Sequence, residues 1–258
     1  MQTYTLSLGT APLLISLPHD GSAIPGALSA SMHEYARHSP DTDWHVGRLY
    51  DFARELGASI LRPRYSRYVV DLNRPCDGHA LYPGHSETGL VPTVMFDGRP
   101  IYRDGCAPDA EAIAARVDTY WMPYHQALRG ELDRLRSAHG RVVLWEGHSI
   151  RAEVPMLFDG RLPDFNLGTN AGASCQPRLR ERLASELAAQ ETYTHVLDAR
   201  FKGGYITRNY GAPDAGIDAV QLELAQVNYM DEDRFEYLPE RAAKVQSLIR
   251  GLLEICLS

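Results

Sequence analysis

The stretch Arg141–Ser149, RVVLWEGHS, opens with a short run of β-branched and large apolar residues and then breaks into Glu-Gly-His-Ser. A run of this length reads as a strand buried on both faces, with His148 delivered at its end. Upstream, Pro108-Asp109 and Glu111 mark a helix start, and the helical pattern continues to His139-Gly140, with Pro123 expected to kink or divide it. Pro12–Pro18, PLLISLP, repeats the theme: an apolar strand, then His19 entering Asp20-Gly21. Ala58–Leu61, Tyr68–Leu72, Thr194–Leu197 and Ala219–Leu224 are further strand candidates. Asp43–Leu56, Pro177–Gln190 and Pro239–Leu257 carry helical spacing, Pro239 suiting a first helical position. Strands alternating with helices imply an α/β fold in a single domain, residues 1–258, with a largely parallel sheet covered on both faces. Two stretches fit neither pattern. Residues 74–108, with Gly or Pro at ten positions, and residues 149–176 are expected to be long loops gathered at the C-terminal strand ends, where ligands bind.

Composition narrows the partners. The chain has 258 residues, 44% of them hydrophobic and 23% charged, enough to fold without disulfides. Its net charge of −7 and pI of 5.8 disfavour nucleic acid, and any bound anion needs a local arginine cluster. Cys76, Cys106, Cys175 and Cys256 are scattered, form no CxxC pair and fit reduced thiols in a cytoplasmic protein. The N-terminus lacks a basic segment and is interrupted by Gly9, Pro12 and Pro18, so it reads as two strands rather than a signal peptide or membrane span.

The chemistry gathers at strand ends. His19 and His148, each following an apolar strand into a turn, form a candidate metal pair. A catalytic zinc needs a third protein ligand and an open position. The HxxE spacing is absent because residue 22 is Ser, so the carboxylate must come from elsewhere. Asp41 and Asp43 stand together in SPDTDWHVGRLY; a helix N-cap accounts for one of them, and Asp43 is favoured as the ligand. Asn73 and Arg74 end VDLNRP and suit a carboxylate, the guanidinium offering a fork and the amide a further donor; the alternative is a surface turn before Pro75. Glu223 shares a face with Gln221 in the apolar strand AVQLEL, where a carboxylate is costly unless paired or functional; it is a candidate general base, or else an edge residue facing solvent. Lys202, Tyr205, Thr207, Arg208 and Tyr210 surround a Gly pair in FKGGYITRNYG and supply a cationic, donor-rich cluster. No GxSxG elbow occurs, which disfavours a serine hydrolase.

Taken in order, SLPHDG, PDTDWHVGRLYD, RYVVDLNRP, GLVPT, FDGRPIY, WEGHS, LGTNAG, FKGGYITRNYG and VQLEL span nearly the whole chain, and together they resemble the N-formylglutamate amidohydrolase family. The resemblance implies a mixed, mostly parallel sheet like that of zinc carboxypeptidases and aspartoacylases. It implies one Zn2+ per chain, or another divalent metal in its place, on His19, Asp43 and His148. Asn73 and Arg74 would hold the substrate, Glu223 would be the general base and Arg67 would polarise the scissile carbonyl. Arg208, with Tyr205 and Thr207, would bind a second carboxylate. The implied reaction is hydrolysis of N-formyl-L-glutamate to formate and L-glutamate, the last step of a histidine degradation route. The partner would be a small acidic amino-acid derivative, with no nucleic acid or membrane, and the chain a monomer or small homo-oligomer. Rival readings are a zinc hydrolase for another N-acyl amino acid or small peptide, and a binding module that kept the fold and lost the metal.

Overall fold

The computed structural model describes residues 2–81 and 87–258. Its central sheet has seven strands: β1 (Tyr4–Ser7), β2 (Leu13–Ser16), β3 (Ser59–Pro63), β4 (Val142–Ile150), β5 (Phe165–Gly168), β6 (His195–Leu197) and β7 (Ile217–Ala225). Their order is β1-β3-β2-β4-β7-β5-β6. The central β3-β2-β4-β7 set is parallel, β1 and β5 join it antiparallel, and β6 runs parallel to β5. A small hairpin pairs β8 (Met230–Asp231) with β9 (Glu236–Tyr237). The helices are α1 (Gly26–Ser29), α2 (Val46–Leu49), α3 (Ala110–Arg116), α4 (Met122–His139), α5 (Pro177–Ala189), α6 (Tyr205–Tyr210) and α7 (Pro239–Leu257). No helix among the described residues is long and apolar enough to cross a membrane.

Strand alternation sorts the core into two layers. Leu13, Ile15, Val143, Trp145, Val220 and Leu222 face α5 and α7 through Leu183, Val245, Ile249 and Leu252. Leu14, Leu61, Val142, Leu144 and Ala219 face α4 through Leu128, Leu132 and Leu135. Each fully buried Leu or Ile contributes roughly 1.5–3 kcal/mol, so helices on both faces are what keep the apolar first half of β4, Val142–Trp145, out of water. The buried indole of Trp145 is satisfied as well, its Nε1–H donating to the Tyr50 hydroxyl at 2.8 Å.

The long α3–α4 pattern is one helical path with a flaw. Asp109 caps α3, accepting from the Ala112 N–H at 2.8 Å. A π turn, Val117–Trp121, then separates α3 from α4, whose second residue is Pro123. Proline lacks an N–H and crowds the carbonyl four residues back, and widening the preceding turn accommodates both defects. Helix α4 ends at Gly140, which adopts φ 76°, a left-handed conformation suited to glycine.

Three expectations need correction. Tyr68–Leu72 is not a strand. Its backbone groups are taken from the side instead: Val69 O accepts from Arg116 Nη1 (3.2 Å), Leu72 O bonds His125 Nε2 (2.9 Å), and the Asp71 N–H donates to Leu90 O (2.7 Å). Asp43–Leu56 is not one helix; His45 sits at φ 64°, α2 is a single turn, and a 3-10 turn covers Asp51–Arg54. The supposed loop 149–176 contains β5. The Gly-rich stretch after Phe201 contains the short helix α6. Residues 74–108 do form irregular connection among the described residues; 82–86 of that stretch lie outside them.

Candidate active site

Strands β2 and β4 lie parallel, Ser16 opposite Glu146, so both chains leave the sheet at the same end. His19 lies just beyond β2 and His148 lies near the end of β4, their ring centroids 4.8 Å apart. Asp43 sits against both: its Oδ2 is 3.0 Å from His148 Nδ1 and its Oδ1 is 3.9 Å from His19 Nδ1. Backbone contacts set Asp43 there. Its N–H donates to His19 O at 3.0 Å, and the Ser149 N–H donates to Oδ2 at 3.1 Å. All three residues are buried, and one ligand atom from each lies within 4.8 Å of the other two. Asp41 stands apart from this group. Its carboxylate accepts from the Tyr68 hydroxyl (2.6 Å) and the Phe96 N–H (2.9 Å), and neither Asp41 nor Asp43 caps α2.

Each imidazole is held from behind by a second carboxylate. Asp71 Oδ1 lies 2.7 Å from His19 Nε2, and Glu146 Oε1 lies 2.8 Å from His148 Nε2. A carboxylate only accepts, so both Nε2 atoms carry a proton, and both Nδ1 atoms turn toward Asp43, His148 Nδ1 close enough to donate to it as an imidazolium. Asn73 Nδ2 also approaches His148 Nε2, at 3.1 Å, but Glu146 is closer and charged, so the ring proton belongs to Glu146. Two imidazole Nδ1 atoms and a carboxylate facing one another in a buried space require positive charge between them, as a ring proton or as a metal ion. His148 expresses this: burial opposes its imidazolium, yet hydrogen bonds with Asp43 and Glu146 raise its pKa well above the ordinary value. His19 goes the other way, lowered by burial and by the nearby Arg67 despite Asp71 and Asp43. Two histidines and one carboxylate, each imidazole backed by a further carboxylate, are a donor set that fits a divalent ion such as zinc.

Glu223 lies directly across from His148 in the β4–β7 register. It is 7% exposed, and burial pushes its pKa up to about 8, His148 pulling down less than burial pushes. Gln221, two residues earlier on the same face, accepts from the Gly204 N–H with its Oε1 at 2.7 Å. Both line a cavity bordered by His19, Asp43 and His148, by Arg67, Asn73, Arg74 and Arg200, and by an apolar rim that includes Phe96, Leu157 and Phe201. Here is the local arginine cluster that an acidic protein needs for an anionic ligand.

The arginines are differently engaged. Arg67 Nη2 donates to Asp71 at 2.6 Å, while its buried Nε–H has no partner among the described residues. Arg74 donates from Nε to Thr88 O (2.7 Å) and from Nη1 to Asn73 O (3.0 Å). Arg200 is anchored through Nε to Leu157 O at 2.9 Å. Asn73 Oδ1 accepts from the Ile206 N–H at 2.9 Å. A Cβ on Gly204 would fall 2.2 Å from the Asn73 amide, so only glycine permits this approach.

The structure brings His19, Asp43, His148, Glu223, Arg67, Asn73 and Arg74 together. It does not bring Thr207, Tyr205 or Arg208 to the described cavity lining. Thr207 is fully buried and gives both its N–H and its hydroxyl to Glu146. Tyr205 packs its ring on Trp121 and His125. Arg208 donates to Gly203 O (2.8 Å) and Leu81 O (3.3 Å). Asp71 and Glu146 escaped the reading of the sequence, although each is a carboxylate inside an apolar run, YVVDL and VVLWE, the signal that singled out Glu223. Arg200 had no signal beyond its place before the Gly pair.

An α/β sheet with a buried His-carboxylate cluster and an arginine-lined cavity at its C-terminal end is the frame of a hydrolase for small anionic compounds. The match is specific: residues 11–230 fit the model of the N-formylglutamate amidohydrolase family, and the chain belongs to that family. It is 56% identical over 251 residues to the N-formylglutamate deformylase of Pseudomonas aeruginosa, covering 97% of this chain and 94% of that protein. It is 51% identical to the N-formylglutamate deformylase of Pseudomonas putida over the same shares. Among solved structures, an N-formylglutamate amidohydrolase from Ralstonia eutropha JMP134 superposes with a TM-score of 0.83 at 26% identity, covering 100% of this chain and 96% of that one.

Proposed function

We propose that this chain hydrolyses N-formyl-L-glutamate to formate and L-glutamate, using one zinc ion held by His19, Asp43 and His148. The observation that carries the reading is the convergence of those three side chains beside Glu223 in a cavity lined by arginines. The family and the two deformylases it resembles support the substrate. We place the reaction in the cytoplasm, at the end of a histidine degradation route.

A bound divalent ion supplies Lewis acidity and eases deprotonation of a water. Asp71 and Glu146 keep the two imidazoles oriented with Nδ1 inward. Glu223 takes a proton from the water as its oxygen bonds to the formyl carbon. Arg67, with its unpartnered Nε–H, donates to the oxygen that gains charge, a contribution of about 3 kcal/mol for a well-placed donor. The carbon–nitrogen bond then breaks, and Glu223 returns the proton to the departing amine, leaving formate and glutamate. Asn73 and Arg74 hold the α-carboxylate. Arg200, which lines the cavity where Arg208 does not, takes the side-chain carboxylate.

The test is formate release from N-formylglutamate by purified protein, assayed beside N-acetyl- and N-succinylglutamate, with metal content measured on the same sample. We expect about one zinc per chain, loss of turnover with a chelator, and recovery on adding zinc back. Turnover of the acetyl or succinyl compound in preference to the formyl one would replace the substrate. Full activity in metal-free protein would remove the metal.

A further inference from the structure

We propose that Trp121 and His125 are positioning residues that clamp the substrate-binding segment Leu72–Arg74 from behind. The inference rests on the assignment of Asn73 and Arg74 to carboxylate binding. Leu72–Arg74 lies outside the sheet, so no strand ladder fixes it. Two side chains do. Trp121 Nε1 donates to Arg74 O at 2.9 Å, and His125 Nε2 donates to Leu72 O at 2.9 Å. The carbonyls on either side of Asn73 are thus gripped from one helical path. The Asn73 N–H donates to Asp71 Oδ1 at 2.9 Å, so the residue between the two grips is also tied to the carboxylate that orients His19.

The two clamping rings act as a unit. They stack with centroids 3.7 Å apart at 23°. A backbone carbonyl accepts only, so His125 carries its proton on Nε2, and Nδ1 accepts from the Tyr210 hydroxyl at 2.9 Å. The ring is buried and locked in one tautomer. Tyr205 packs against both rings, 5.8 and 5.6 Å between centroids. Its place in the site's motif is therefore explained by support of the clamp rather than by contact with a ligand. Trp121 is the last residue of the π turn, a wide turn that recurs at functional sites because it re-aims the side chains around it.

Trp121→Phe keeps a ring on His125 and removes the donor to Arg74 O. Tyr124→Phe is the control: it deletes the buried hydrogen bond to Ser16 Oγ (2.9 Å) from the same helix but grips no part of Leu72–Arg74. Losing one such bond predicts a KM for N-formylglutamate raised about fivefold in Trp121→Phe, with kcat within about twofold and metal content unchanged. Tyr124→Phe leaves KM unchanged. His125→Gln, which retains a donor, lies between wild type and His125→Leu. Amide exchange measured without substrate gives a second readout: Asn73 and Arg74 exchange faster in Trp121→Phe than in Tyr124→Phe. Equal KM values and equal exchange in the two variants overturn the clamp. Faster exchange in a protein that releases no formate keeps the clamp and overturns the assigned reaction instead.

Discussion

Two segments bring a carboxylate into the same buried neighbourhood with opposite results. In Asp71–Arg74 the carboxylate of Asp71 is fully engaged, by His19, by Arg67 and by the Asn73 N–H. In β7 the carboxylate of Glu223 faces the cavity and makes no hydrogen bond among the described residues. Burial raises both. At Asp71 the charges of His19 and Arg67 overcome it and hold the group well below the usual carboxylate range, whereas at Glu223 burial prevails and the pKa reaches about 8. Partners, not depth, decide whether a buried acid is a fixed strut or a group able to trade a proton.

Exchanging the two carboxylates for amides tests that contrast. Glu223→Gln should cost the most, about 10^3-fold in kcat, since proton transfer by a positioned group is typically worth 10^2–10^4. Metal content and melting temperature should stay near wild type. A variant that keeps a tenth of the activity would show that Glu223 is not the proton carrier.

The same rule extends to a base without ionic partners. His125 is depressed from 6.5 to about 4, first by burial, with the Leu72 carbonyl opposing it only in part. Its folded-state pKa lies below the unfolded value, so the unfolded chain binds the extra proton first. This contribution is complete above about 6.5 and is lost as pH falls toward 4, by roughly 3 kcal/mol at about 1.4 kcal/mol per unit. Denaturant titrations from pH 7 to 4 should show a shallower acid slope in His125→Gln than in wild type.

Asp71→Asn comes next. Removing the charge behind His19 should weaken zinc affinity about 10- to 100-fold, read by competition with a chelator. Wild-type affinity would mean that the strut is not needed to orient the ring. Smallest is Arg208→Gln, expected to leave KM for N-formylglutamate within about twofold, since this guanidinium serves Gly203 and Leu81. Arg200→Gln should raise KM about tenfold, as loss of a charged hydrogen bond does.

The sequence made the sheet legible where strands are continuous apolar runs. The apolar centres of PLLISLP and RVVLW and the whole of AVQLEL fall in strands, and α5 and α7 begin at the prolines expected to start them. His19, His148 and Glu223 stood out as polar residues at the ends of such runs, and Asp43 as the second acid of a pair of which a helix cap accounts for only one. RYVVDLNRP misled for a physical reason: it has the composition of a strand, but Arg116 and His125, more than forty residues away, satisfy its carbonyls. Side-chain satisfaction of a backbone leaves no local periodicity to find. Thr207 misled in a similar way, because its partner Glu146 lies sixty-one residues off in β4.

The π turn has one further consequence. Upstream of it, Arg116 donates from Nη1 to Val69 O; downstream, His125 reaches Leu72 O. Both ends of one coil thus hold a single neighbouring strip of chain, and the surplus residue in Val117–Trp121 sets the phase between them. Deleting one residue there would turn one grip about 100° away from the other, the angle of a single helical step, while leaving the apolar stripe of α4 intact. Length within these five positions is therefore constrained together with the identity of Trp121, and an insertion or deletion there should harm ligand binding before it harms folding.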